Sequence, residues 1–126
     1  MKHGTLEHVN ITVRDCDATA ALLADLFGWH IRWQGPARDN GRTIHLGTDD
    51  SYVAIYTQQT GQLLSTPFAK GAPLNHIGVS VDDLDEAEAR VIARGLTPFS
   101  HSDYGVARSF YFFDDNGIEF EVVSYR

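Results

Sequence analysis

The chain contains one cysteine, Cys16. An internal disulfide is therefore excluded, and a lone thiol fits a reducing, cytoplasmic compartment. Basic residues are scarce, with 10 Lys and Arg against 17 Asp and Glu and a net charge of −7. Nucleic acids and anionic membrane surfaces are held by clusters of Lys and Arg. No such cluster occurs, so neither is an expected partner, and the acidic balance mainly aids solubility. No apolar run reaches the ~18 residues that a spanning helix needs. The start, Met1-Lys2-His3-Gly4, has no apolar stretch of the kind a signal peptide requires.

What the chain does have is a repetition, and each copy opens on a histidine. Leu6-Glu7-His8-Val9-Asn10-Ile11-Thr12-Val13 returns as Leu74-Asn75-His76-Ile77-Gly78-Val79-Ser80-Val81. Arg42-Thr43-Ile44-His45-Leu46 returns as Arg108-Ser109-Phe110-Tyr111-Phe112, and Gly28 as Gly95. A duplicated half-length unit implies one domain over 1–126 built from two modules, about 4–60 and 74–126. The stretch 61–73, with two Pro, two Gly and no periodicity, reads as the linker between them.

Within each module the periodicities predict β-α-β-β-β. Val9, Ile11 and Val13 alternate with His8, Asn10 and Thr12, the period of a half-buried strand. A helix runs from the cap at Asp15–Asp17 to Gly28, with Ala20, Leu23, Ala24 and Phe27 on one face and Leu22 and Leu26 beside it. Trp29–Trp33 is a strand with Trp29, Ile31 and Trp33 on one side. The segments 42–47 and 52–57 form a hairpin. The second module repeats the order: strand 74–81, helix 84–94, short strand 96–100, then a hairpin of 108–113 and 118–124. The expected class is α+β.

The faces opposite the apolar ones are informative. They carry His8, Asn10 and Thr12 in one module, and His76, Gly78 and Ser80 in the other. The closing strand adds Glu119 and Glu121. A wetted antiparallel sheet also shows a polar face, and for any single histidine that is the default. Two histidines at duplicated positions with a carboxylate on the matching face tip the balance. Two His and one carboxylate hold Fe, Mn, Co, Ni or Zn and leave coordination positions open.

These residues resemble the vicinal oxygen chelate superfamily, which includes glyoxalase I, fosfomycin-resistance thiol transferases, extradiol dioxygenases and bleomycin-resistance proteins. The marks are Leu6-Glu7-His8-Val9, Leu74-Asn75-His76-Ile77 and the ending Asp114-Asp115-Asn116-Gly117-Ile118-Glu119-Phe120-Glu121, with Asp115 where proline is usual. The resemblance covers nearly the whole chain. It implies that the paired modules form a U-shaped, partly closed mixed β-barrel cup with helices outside. One divalent metal ion would be held there by His8, His76 and Glu121. A gapless alignment puts Ile55 at the fourth ligand position, which glyoxalase I fills with Glu; a one-residue slip puts Ala54 or Tyr56 there. None is a carboxylate, so a three-ligand set is expected.

Glu121 could also act as base. Tyr111, ten residues before it, has the spacing of the acid/base tyrosine of extradiol dioxygenases, with an aromatic lining residue as the plainer reading. His45, Asn10, Ser80 and Arg108 are the candidate substrate contacts, with a structural or solvated role as the alternative for His45. Arg42 and Arg108 are either clamps for an anion or idle rim charges. His101 lies upstream of Tyr111 without a matching pattern, His3 and His30 are expected at the surface, and Cys16 has no partner suggesting reactivity. The expected activity is metal-dependent chemistry on a small oxygen-rich molecule: lyase, isomerase, transferase or ring-cleaving dioxygenase. The rival is a metal-free resistance protein sequestering an aromatic or cationic drug through Trp29, Trp33 and Phe113. A third expectation is a family member that keeps the triad unused. The superfamily's short members imply a homodimer.

Overall fold

The computed structural model describes residues 3–59 and 74–126. The expected linker, 61–73, lies outside the described residues. The chain divides into two compact units, Met1–Thr66 and Pro67–Arg126, and each is an α+β module of the expected order. No helix among the described residues is long and apolar enough to cross a membrane.

The first unit comprises β1 (His8–Thr12), α1 (Cys16–Phe27), β2 (His30–Pro36), β3 (Arg42–Gly47) and β4 (Tyr52–Thr57), with a single 3-10 turn at Arg38–Asn40. The sheet order is β1-β4-β3-β2. β1 runs parallel to β4 and the other pairs are antiparallel. Asp15 starts α1 by accepting from the amides of Asp17 and Ala18 at 3.1 and 3.2 Å, which satisfies donors that the first helical turn leaves free. Gly28 ends it at φ 69°, a conformation that a Cβ disfavours. The buried stripe is Ala20, Leu22, Leu23 and Leu26. Leu22 and Leu26, expected beside the face, are within it, and Ala24 and Phe27 are only half-buried. The helix packs on β3 and β4 over Ile44, Leu46, Val53 and Ile55.

The second unit repeats this with β5 (Ile77–Ser80), α2 (Leu84–Ala93), β6 (Phe99–Asp103), β7 (Ala107–Phe113) and β8 (Glu119–Tyr125), ordered β5-β8-β7-β6. Phe110, Phe112, Phe120, Val91 and Val122 are fully buried. Phe112 and Phe120 stack across strands at 5.2 Å. Each such ring, taken out of water, contributes about 1.5–3 kcal/mol. The Asp114 carboxylate organises the last turn by accepting from the amides of Asn116 and Ile118, both at 2.9 Å.

Three strands depart from expectation: β5 is confined to Ile77–Ser80 within the expected 74–81, and β2 and β6 each carry a bulge. In β2 the register shifts between Ile31 and Trp33. Arg32 is the extra residue, and one inserted residue inverts the alternation that follows. Ile31 then pairs with Leu46 and Trp33 with His45, so the two do not share a face. In β6 the register shifts between Phe99 and Ser102, where Ser100 has φ 53°. The strand therefore continues to Asp103, three residues beyond its expected end.

A duplicated ion pair ties strand to helix in both units. Arg42 Nη2 reaches Asp17 Oδ1 at 2.9 Å, and Arg108 Nη2 reaches Asp85 Oδ1 at 3.1 Å. Both carboxylates sit in a first helical turn, where negative charge is favoured.

Candidate metal and substrate face

On the polar face of the second sheet, His76 Nε2 lies 3.2 Å from Glu121 Oε1. Its Nδ1 lies 2.8 Å from Asn75 Oδ1. Both partners are acceptors, so the ring as it stands satisfies both only as imidazolium. A divalent cation between Nε2 and the carboxylate would satisfy the same atoms with the ring neutral, its Nδ1–H donating to Asn75. Two ligands about 2.1 Å from a metal and at right angles stand about 3 Å apart, so this donor pair fits such an ion. Tyr111 packs edge-on against His76 at 5.5 Å and pairs in register with Glu121. Burial, then the nearby Glu121 carboxylate, push its phenol above the ordinary value. Gly78 pairs with Glu121 across β5 and β8 and leaves open space where a Cβ would stand.

The first unit carries the matching histidine in a similar setting. His8 Nδ1 lies 2.9 Å from Glu7 Oε1, so the residue preceding each histidine takes its Nδ1. This arrangement fixes the tautomer and leaves Nε2 for a ligand role. His8 stacks on Tyr52 at 4.8 Å, and Tyr52 on His45 at 4.6 Å. The Arg32 guanidinium lies 4.5 Å from the Tyr52 ring centre, and Trp33 leans on His45 at 5.3 Å. Burial first, then the charges of His8 and Arg32, push His45 below the usual imidazole range. Glu7, Asn75, Tyr52 and Arg32 were not among the expected site residues. The first two stood inside the repeated motif, and only their position before each histidine could have signalled the role.

Beside these rings the polar face opens into a cavity of about 410 Å³. It is lined by Asn10 and Thr12 of β1, Thr43 and His45 of β3, and the 3-10 turn. Asn10 and His45 thus sit together. Ser80 is exposed on β5, two residues beyond Gly78.

Three expectations are corrected. Arg42 and Arg108 do not stand on the polar faces. Alternation puts them with Ile44 and Phe110 on the helix side, where they pair with Asp17 and Asp85. The position matching Glu121 in the first unit is Ala54, not Ile55. Ala54 pairs with His45 and Asn10 as Glu121 pairs with Tyr111 and Gly78. Ile55 lies in the core, fully buried. Finally, Trp33 shares the face of His45, while Trp29 packs against Phe27 at 4.9 Å.

His101 contacts Glu88 at 2.6 Å, His3 and His30 are exposed, and Cys16 is buried and free. Within either unit, among the described residues, no three His, Cys, Asp or Glu side chains gather as a metal cluster. Each unit carries part of the expected set: His8 in the first, His76 with Glu121 in the second.

The family model described as the Glyoxalase/Bleomycin resistance protein/Dioxygenase superfamily matches residues 5–122. The chain belongs to that superfamily. Among solved structures it is similar to a glyoxylase/bleomycin resistance protein/dioxygenase domain from Frankia sp. EAN1pec. That match has TM-score 0.83 and 20% identity, covering 99% of this chain and 100% of that one. It is also similar to the fosfomycin resistance protein FosX from Listeria monocytogenes complexed with Mn(II) and sulfate ion, with TM-score 0.75, 20% identity and coverage of 99% and 95%. FosX from Mesorhizobium loti gives TM-score 0.71 and 28% identity, covering 97% and 91%. Comparison with curated proteins gives no match.

Proposed function

We propose that the protein is a divalent-metal-dependent enzyme acting on a small oxygen-rich molecule, with His8, His76 and Glu121 as the metal ligands. The observation that carries this reading is the repeated geometry at the two histidines. Each has its Nδ1 engaged by the preceding side chain, and at His76 the remaining nitrogen faces a carboxylate at 3.2 Å. A bound divalent cation supplies a Lewis acid with open coordination positions. Mn(II) is the ion to try first among Fe, Mn, Co, Ni and Zn, because the similar FosX structure holds it.

The chain's own groups then have separable tasks. Tyr111, with its phenol pushed up, stays protonated at neutral pH and donates a hydrogen bond or proton to substrate oxygen. Neutral His45 offers one donor and one acceptor. Asn10 and Ser80 orient polar groups of the substrate. We further propose a homodimer in the cytoplasm, supported by the superfamily's short two-module form and by the free, buried Cys16.

Metal analysis of protein purified without chelator tests the reading. One equivalent of a transition metal is expected, His76→Ala is expected to lose it, and Asn75→Ala to weaken Mn(II) binding about tenfold or more. Full occupancy in His76→Ala overturns the ligand assignment.

A further inference from the structure

A residue lining the cavity on the first sheet carries an atom that burial leaves unsatisfied. Thr43 is 8% exposed, and its Oγ1 has no hydrogen-bond partner among the described residues. Thr43 lines the cavity, and a turn about χ1 that brings the hydroxyl to a ligand's polar group would satisfy it. The volume, about 410 Å³, is that of a small-molecule site.

The lining chemistry narrows the ligand. Arg38 and Asp39 are neighbours of opposite charge on the 3-10 turn, and their charges offset each other. His45, the remaining titratable side chain apart from the tyrosine, is pushed toward its neutral form by burial. The other polar groups are the amides of Asn10 and Gln58 and the hydroxyls of Thr12 and Thr43. Each both donates and accepts. An anion only accepts, and it favours a surplus of cations and donors, which this lining lacks. An uncharged molecule whose own hydroxyls donate and accept matches it group for group.

One wall is apolar and fixed. The Tyr56 hydroxyl donates to the Arg38 carbonyl at 3.0 Å. The ring lies so close to Gly41 that a Cβ there would stand 2.4 Å from Tyr56 Cε1. A rigid aromatic face beside a ring of hydroxyls and amides suits the C–H face of a cyclic polyol.

We infer that this cavity binds an uncharged polyol of about monosaccharide size, with the Thr43 hydroxyl as a specificity-determining contact. The inference rests on the polar face being the substrate face, but it uses none of the three proposed metal ligands.

Calorimetric titration of the full chain, before and after chelator treatment, tests it with glucose, mannose and myo-inositol against inorganic phosphate and methylphosphonate. At least one polyol is expected to bind saturably in both preparations, and the anions not to bind once chelator has removed any metal that could hold them. Thr43→Val keeps the shape and removes the hydroxyl. It is expected to weaken the polyol about fivefold or more while raising Tm, because an orphan buried group is gone. Ser109→Ala removes the equivalent buried hydroxyl of the second unit. It is expected to raise Tm and leave polyol binding unchanged, so altered affinity in Thr43→Val is not a general effect of stability. Failure of all three polyols, binding of the anions to the chelator-treated protein instead, or unchanged polyol affinity in Thr43→Val overturns the inference. Loss of the metal reading with polyol binding intact would leave the cavity assignment standing, and the reverse would leave the metal reading standing.

Discussion

At the scale of residues, the decisive atoms are the two nitrogens of each imidazole. The identities of His8 and His76 were legible because duplication marks them twice. Their orientation was not, because a contact between neighbouring side chains such as Glu7 and His8 leaves no periodic trace. His45 gives a pH test. Its folded-state pKa lies below the ordinary imidazole value, about 6.5. A group depressed in this way contributes stability that is present above the unfolded pKa and is lost as pH falls through the folded one. Urea unfolding at about pH 7.5 and about pH 5.5 is therefore expected to show a loss of stability on acidification that is smaller in His45→Gln. An equal loss in both proteins would place the titration elsewhere. Asp39 and Asn40 at φ 57° and 59° belong to the same scale. Asp and Asn tolerate that region better than most residues, yet nothing in their local sequence announced a cavity wall.

At the scale of elements, alternation and turn residues showed the order of the strands, and loop length decided which residues correspond. The first hairpin turns through residues 48–51 and the second through 114–118. That one extra residue moves the partner of Glu121 from Ile55 to Ala54. A single sequence aligned without gaps carries no information about it. The bulges at Arg32 and Ser100 were equally silent, since neither residue is a glycine and neither interrupts an apolar run. The correction moves the place where a fourth ligand, a second carboxylate, can be added. Ala54→Glu puts an oxygen ligand on the polar face beside His45 and Asn10, and tighter Mn(II) retention is expected. Ile55→Glu buries an unpaired charge in the core, a cost of several kcal/mol against a typical total stability of 5–15 kcal/mol. Insoluble or unfolded protein is expected. Metal content and thermal melting of the two variants, measured side by side, check both. Folded Ile55→Glu with raised metal content would restore the original alignment.

At the scale of the whole molecule, the order of elements and the family were legible because duplication makes one copy a control for the other. The substrate was not, because the polar groups that define the cavity come from segments far apart in sequence, Asn10 through Gln58. If a homodimer shares the metal between copies, sedimentation should show dimer dissociation and metal loss at the same dilution. A monomer that keeps its metal at nanomolar concentration would exclude sharing. Time enters through the topology of each unit. β1 pairs in parallel with β4, His8 beside Tyr52, so the first strand made is completed by the last. At ~5–20 residues per second on the ribosome, His8 precedes Tyr52 by about two to nine seconds. Through that interval the strand bearing a proposed metal ligand has no native neighbour in its own unit, and the second unit repeats the wait. Pairing so distant in sequence slows folding, and the two hairpins, which close locally, are the natural places for it to begin.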